Sequence, residues 1–218
     1  MTRLVGIYGA GGMGREILAI LRGQKLEDAK ICFIDDTRGA LRGLAECPVL
    51  AWEEFLAAPA VDRSVVISVG NPRVRGRLHE RCERAKVPQH EVRAIESYVG
   101  ERVEWGPGLV LPAFASLTCD IVIGTGFQAN VGSAIAHDCR IGDFVTFAPG
   151  ATCNGNVHVG DYAYIGAGAA IRQGTPDRPL VIGEGAVVGM GAIVLHDIPA
   201  GTTVAGNPAR PLDRDRKC

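Results

Sequence analysis

The stretch Ile123-Gly-Thr-Gly-Phe-Gln-Ala-Asn-Val-Gly-Ser-Ala-Ile-Ala-His-Asp-Cys-Arg-Ile-Gly-Asp-Phe-Val-Thr146 decides how this chain folds. Ile123, Ala129, Ile135 and Ile141 recur at every sixth residue. That period fits neither an amphipathic helix nor a half-buried strand, which repeat every 3.6 and every second residue. It signals a repeat architecture. Working outward, the register holds through Val99, Trp105, Leu111 and Leu117 on one side. On the other it runs through Phe147, Cys153, Val159, Ile165 and Ile171, and every position is apolar. Four residues later the side chain is mostly small or β-branched, as at Val103, Ala115, Ser133, Cys139, Val145 and Ala151. Directly after the apolar position stands Gly or Asn at Gly100, Gly106, Gly124, Asn130, Gly142, Asn154, Gly160 and Gly166. Those types tolerate the backbone angles of a tight corner.

Glycines following Trp105, Ile123, Ile141 and Val159 are 18 residues apart, so three hexads make one coil. Each hexad then supplies a short strand and a corner. Successive coils pair through main-chain bonds ~4.8 Å apart and close a triangular prism. The register breaks between Ile171 and Ile182, which predicts a projecting loop within Thr175-Pro-Asp-Arg-Pro179. It is expected to resume at Ile182, Val188, Val194 and Ala200.

Residues 1–97 read differently, as an α/β domain with a small Rossmann-like parallel sheet. Residues 98–218 form the repeat domain. Apolar runs at Leu4–Tyr8, Lys30–Ile34 and Ser64–Val69 predict strands. Arg15–Arg22, Trp52–Ala58 and Val74–Lys86 predict helices between and after them. The first strand runs into Gly9-Ala-Gly-Gly-Met-Gly14, a G-x-G-x-x-G match, and Asp35 follows Gly14 by 21 residues. This is the dinucleotide fingerprint. Only one mononucleotide half is present, however, and no hydride-transfer domain follows. A nucleotide-sugar at the helix N-terminus is therefore the more economical reading than NAD. Gly9, Gly11, Gly12, Met13 and Gly14 would hold it, with Gly70 and Asn71 beside them. Asp35, Asp36 and Arg38 would contact the ribose or base.

Composition removes several classes. The net charge of −1, from 23 Lys+Arg against 24 Asp+Glu, excludes a strongly basic nucleic-acid binder. No apolar run reaches the ~18 residues of a membrane helix, so no membrane insertion is expected. Met1–Tyr8 reads as a strand rather than a signal peptide. Seven cysteines without a CxxC pair read as small buried hydrophobes in a reduced cytoplasm. There is no HExxH and no clustered zinc spacing, so no metal is expected.

The hexads Ile123-Gly-Thr-Gly-Phe-Gln, Ile141-Gly-Asp-Phe-Val-Thr and Val159-Gly-Asp-Tyr-Ala-Tyr resemble those of the hexapeptide-repeat acyltransferases. The closing Ile198-Pro-Ala-Gly-Thr-Thr-Val-Ala-Gly-Asn-Pro-Ala-Arg210 is similar to the end of those enzymes. With Gly9–Gly14, Phe33-Ile-Asp-Asp36 and Val69-Gly-Asn-Pro72 ahead of them, they resemble one branch in particular. That branch is the bacterial nucleotide-sugar N-acetyltransferases of the sialic acid O-acetyltransferase-like group. The resemblance implies a left-handed parallel β-helix, a homotrimer and acetyl-CoA as cosubstrate. The hand comes from the resemblance alone, since general crossover rules favour the opposite one. Some members carry a His where Met13 stands, and a role of that His does not transfer.

Within this reading the chemistry falls to His137-Asp138. An amine acceptor must lose a proton, and His is the side chain matched to neutral pH. Register turns His137 outward, and Asp138 can fix its tautomer. A His followed by an acidic residue is also what the family carries there. Gly155, 18 residues on, should stack one coil away and offer its N–H to the thioester oxygen. Acetyl-CoA would run in a groove between subunits lined by Gly155, Ala167, Gly168, Gly206, Asn207, Pro208 and Arg210. The remaining histidines are expected to play no part: His79 and His90 solvated, His158 beside a corner, His196 in the closing segment. The implied acceptor is a 4-amino-4,6-dideoxy sugar on a nucleoside diphosphate, GDP favoured over UDP. The alternatives are O-acetylation of a sialic acid, or a scaffold that binds a nucleotide-sugar without turnover.

Overall fold

The computed structural model describes residues 2–24, 26, 29–37 and 46–212. Its first unit comprises β1 (Arg3–Tyr8), α1 (Gly12–Gly23), β2 (Ala29–Ile34), β3 (Val49–Leu50), α2 (Trp52–Ala57), β4 (Arg63–Ile67) and α3 (Pro72–Arg84). The four strands form one parallel sheet in the order β3-β2-β1-β4. Helix α1 turns Gly14, Ile17, Leu18 and Leu21 into the sheet, as its apolar spacing predicts. Helix α3 starts at Asn71, whose side chain accepts from the Arg73 and Val74 amides, with Pro72 in the first turn.

Beyond this unit the chain winds into parallel coils. Ile123 pairs with Ile141, Ala129 with Phe147 and Ile135 with Cys153, an offset of 18 in each case. Coil stacking begins at Val92–Arg93, which pairs with Val110–Leu111, a few residues ahead of the expected boundary. The coils close three faces. A six-stranded sheet contains Ala134–Ile135 and Thr152–Cys153. A five-stranded sheet contains Arg140–Ile141 and Val157–Val159. An eight-stranded sheet contains Gln128–Ala129 and Thr146–Phe147. Inside runs one continuous core, from Leu109 to Val204. Burying each Leu, Ile or Val there contributes roughly 1.5–3 kcal/mol, so the hexad register is what stabilises the prism.

Corners obey a rule that differs from the sequence-based expectation. Glycines after the apolar position do not carry the unusual backbone angle. Positive φ falls two residues later, at Arg102, Asp120, Asp138 and Asn156 (φ 55 to 59°) on one edge. It recurs at Gly126, Phe144 and Tyr162 on the next edge, and at Gly132, Gly150 and Gly168 on the third. Gly124 and Gly142 are small for another reason: a Cβ there would lie 2.8 and 2.7 Å from the Asp143 and Asp161 backbone nitrogens of the following coil. The glycines make room for stacking, and the corner bends beside them.

The register also ends earlier than expected. Ala200 is exposed, and the inward position is taken by Ile198, which bridges to Ile182. Val204 then pairs with Val188. The step from Val194 to Ile198 is four residues instead of six, which shortens the last coil, and the antiparallel pair Thr203–Ala205 with Arg210–Pro211 caps the prism. Among the described residues, no helix is long and apolar enough to cross a membrane.

The α/β unit sits on the eight-stranded face. Val110, Gln128 and Thr146 point outward from that face yet are 2%, 0% and 1% exposed, because the unit covers them. Val92 and Val110 join the core beneath α1. The edge bearing Asp138 joins the other two faces, so it lies across the prism from the α/β unit.

Candidate active site

His137 stands on the edge between the six- and five-stranded faces, outward as its register requires. Its Nδ1 lies 2.7 Å from Asp138 Oδ2. Asp138 occupies the left-handed corner (φ 59°), which swings its carboxylate back toward the preceding side chain. A neutral imidazole bonded this way carries its proton on Nδ1 and keeps the lone pair on Nε2. One coil on, a Cβ at Gly155 would meet the imidazole, 2.6 Å from Nε2. The ring therefore fills the space over Gly155 that a side chain would take. Around this point the coil-to-coil bonds run from Asn156 N–H to the His137 carbonyl (3.0 Å) and from Gly174 N–H to the Gly155 carbonyl (3.0 Å). Among the described residues, the Gly155 N–H takes no part in that ladder. Gly155 itself is buried against the imidazole.

A groove of about 440 Å³ flanks Asp138, lined also by Asp120, Arg140, Asn156, His158 and Pro176. The Thr175–Pro179 loop rises from this edge, held by backbone bonds between Thr175 and Arg178. A second cavity, about 580 Å³, lies between that loop and the last coil, with Arg172, Arg178 and His196 in its wall.

The expected cofactor residues do not gather in one chain. Ala167 and Gly168 lie on the edge between the eight- and six-stranded faces, away from Gly155. Gly206 stacks above that same edge, its carbonyl accepting from Ile193 N–H, and Asn207-Pro208 is a cis peptide. Arg210 is exposed.

The residues expected to hold the acceptor do assemble. Gly9 takes φ 112°, and its carbonyl accepts from Ser68 Oγ at 2.8 Å. A Cβ at Gly14 would overlap the Gly9 carbonyl, so this glycine permits the tight turn. Gly11 caps α1 without a side-chain bond, and Gly12 and Met13 open the helix, so its first amides have no intrahelical partner. Gly70 and Asn71 follow β4 beside this loop, on the neighbouring strand end. Asp35 holds Thr37 through N–H (2.9 Å) and Oγ1 (2.5 Å) bonds. Arg38 lies outside the described residues.

Asp36 is more heavily engaged than its expected base contact allows for. Oδ2 accepts from Tyr8 O–H (2.8 Å) and Arg81 (2.5 Å), and Oδ1 from Trp52 N–H (3.0 Å). Burial alone would raise its pKa, but these bonds hold the carboxyl below its usual value. Arg81 in turn stacks over Trp52, 5.3 Å from the ring centre. No local pattern announces this cluster, because Tyr8 and Arg81 are 73 residues apart.

Two histidines differ from expectation. His79 is not solvated but packs edge-on to Phe144, with centroids 5.3 Å apart. His90 lies near Ser64 Oγ (3.4 Å), and burial lowers its pKa. Both sit under the α/β unit, far from the His137 edge. Among the described residues, no group of three or more His, Cys, Asp or Glu could hold a metal.

Comparison with known proteins agrees with this architecture. The PglD N-terminal domain family matches residues 5–82. GDP-perosamine N-acetyltransferase of Escherichia coli O157:H7 is 43% identical over 215 residues, 97% of each chain. Among solved structures, WeeI from Acinetobacter baumannii AYE is 47% identical with a TM-score of 0.93, covering 97% of this chain and 100% of that one. The acetyltransferase domain of PglB from Neisseria gonorrhoeae FA1090, in complex with acetyl coenzyme A, is 30% identical with a TM-score of 0.86 over the same shares. The likeness spans the Rossmann-like unit and the left-handed parallel β-helix together. The chain belongs to the bacterial nucleotide-sugar N-acetyltransferases, acyltransferases of the hexapeptide-repeat family.

Proposed function

We propose that this protein transfers the acetyl group of acetyl-CoA to the 4-amino group of a GDP-linked 4-amino-4,6-dideoxy sugar, with GDP-perosamine as the favoured acceptor. The amine lone pair attacks the thioester carbonyl carbon, and His137 Nε2 takes the amine proton. The Gly155 N–H stabilises the oxyanion of the tetrahedral intermediate. Collapse breaks the C–S bond, and the departing thiolate receives the proton from His137. Holding both substrates in line accounts for much of the acceleration. The observation that carries the reading is the His137–Asp138 bond of 2.7 Å beside the unengaged Gly155 N–H. The likeness to a GDP-sugar enzyme supports guanine as the nucleobase; Asp35 would accept from its N1–H and exocyclic amine, a pairing that uracil cannot match. A cytoplasmic location, expected from the cysteine pattern, belongs to the same proposal. The test is His137→Asn assayed by thiol release at saturating substrates. A fall of about 10²-fold or more in kcat is expected; activity within about threefold of wild type would remove His137 as the base.

The enzyme works as a homotrimer in this reading. The α/β unit lies across the prism from His137, so an acceptor bound there reaches the His137 edge of a neighbouring copy more directly than its own. Gly155 and Ala167 occupy different edges, which a groove between two copies would bring face to face. The third edge also exposes Ile95, Phe114, Val131 and Met190, at 95%, 69%, 48% and 80%, an apolar ridge suited to burial between copies. His137 and Gly155 touch within one chain, so variants at these two positions will not complement. The complementing pair is His137 with the glycine loop. Light scattering of active enzyme should give about 69 kDa (3 × 23.0 kDa), and a mass near 23.0 kDa would sink the trimer.

A further inference from the structure

Arg75 is 2% exposed and sits where α3 meets the eight-stranded face. A buried cation is normally matched by a carboxylate. Here every acceptor is neutral. Nε donates to the Gly126 carbonyl (2.8 Å). Nη1 donates to the Val69 carbonyl (2.8 Å) and Gln128 Oε1 (2.9 Å), with a longer contact to the Gly70 carbonyl (3.4 Å). Nη2 donates to the Phe144 carbonyl (2.6 Å) and Thr146 Oγ1 (2.9 Å). Burial draws its pKa down to about 9, which leaves it charged at neutral pH.

These bonds tie both walls of the acceptor site to the β-helix. The Val69–Gly70 turn is held directly, and Gly70 also accepts from Thr146 Oγ1 at 3.1 Å. The glycine loop is held through Gln128, whose Nε2 bonds Met13 Sδ. A small residue beside Arg75 is needed for this approach, since a Cβ at Gly76 would lie 3.0 Å from the Tyr162 ring. A guanidinium fork suits the task, because it makes several directed bonds from one rigid plane. Its charge, uncompensated and surrounded by low-dielectric core, attracts an anion across a longer distance than a surface cation does.

We propose that Arg75 is the positioning residue of the acceptor site, fixing the glycine loop and the Gly70–Asn71 turn to the β-helix while its unmatched charge favours a nucleoside diphosphate there. This rests on the acceptor reading above. The edge bearing His137 is untouched by Arg75, so the effect belongs to acceptor binding and not to acetyl-CoA.

The experiment compares Arg75→Lys and Arg75→Gln by GDP titration calorimetry, by separate KM values for acceptor and acetyl-CoA, and by thermal unfolding. In Arg75→Gln the acceptor KM and the GDP Kd should rise about tenfold or more, with acetyl-CoA KM unchanged and kcat at saturation within about threefold. Arg75→Lys, which keeps the charge without the fork, should bind GDP more tightly than Arg75→Gln. A folded Arg75→Gln that binds GDP like wild type overturns the proposal, as does an acetyl-CoA KM that rises in parallel. If the Arg75 variants do not fold, Thr146→Val decides. It removes the bond to Gly70 from the β-helix side, and an acceptor KM raised by about two- to fivefold supports the proposal, whereas an unchanged one overturns it. If wild type itself binds neither GDP nor UDP, the acceptor reading falls first and this inference with it.

Discussion

The imidazole of His137 occupies the volume that a side chain at Gly155 would need. The two residues are 18 apart in sequence and one coil apart in space. The proposed base and the proposed oxyanion donor are therefore held by a single stacking contact, and one methyl group is enough to disturb it. Gly155→Ala keeps the backbone N–H but should push the imidazole off its place and lower kcat by about tenfold or more, since a well-positioned general base contributes roughly 10²–10⁴. The melting temperature should stay close to wild type, because position 155 does not adopt the left-handed backbone. Full activity in a folded Gly155→Ala would show that the contact is not part of the chemistry.

Asp138 offers a separation of electrostatics from backbone strain. Its φ of 59° suits Asn almost as well as Asp, and suits Ala poorly. Asp138→Asn should reduce kcat by roughly 10²-fold with little change in melting temperature, because an amide no longer selects the Nδ1–H tautomer. Asp138→Ala should lose both activity and stability. Equal losses of stability in the two variants would contradict this division.

Asp35 and Asp36 should part in the same way. Asp35→Asn is expected to raise the acceptor KM and leave unfolding unchanged. Asp36→Asn should lower the melting temperature, since Tyr8, Arg81 and Trp52 all bond its carboxylate. The folded-state pKa of Asp36 lies below the unfolded value, so its stabilisation is present above the usual carboxylate pKa. It is lost as pH falls through the depressed one. The stability gap between wild type and Asp36→Asn should accordingly be widest near neutrality and close in acid. A gap that widens on acidification would reverse the sign assigned here.

Nucleotide choice is checked by competition. GDP should inhibit acetyl transfer more strongly than UDP at equal concentration. The reverse order would reassign the base while leaving acetyl transfer at His137 intact.

Much of this was legible in the sequence because the β-helix repeats. A period of six announces itself at every turn, and the same arithmetic pairs His137 with Gly155. The glycine loop was legible because its spacing is a local backbone requirement. The corner rule was misread, since sequence shows that Gly124 is small but not whether angle or clearance demands it. Arg75 and Arg81 were invisible for a different reason. Both lie on a helix whose charge suggests a solvated surface, and only tertiary contact with residues such as Gly126 and Asp36 reveals what they do. The end of the repeat was missed because two residues drop out of the count between Val194 and Ile198, which no periodicity can foresee.

The 18-residue coil makes this fold a counting device. Inserting a whole coil between Val92 and His137 would lengthen the axis and leave the active edge pointing where it does. Inserting a single hexad would instead rotate everything after it by a third of a turn. His137 would then swing from the far edge to a vertex bordering the α/β unit, with its own Asp138 and Gly155 still in place. The same six residues, read as an angle and not as a length, would turn the His137 edge from the far side of the prism toward its own α/β unit.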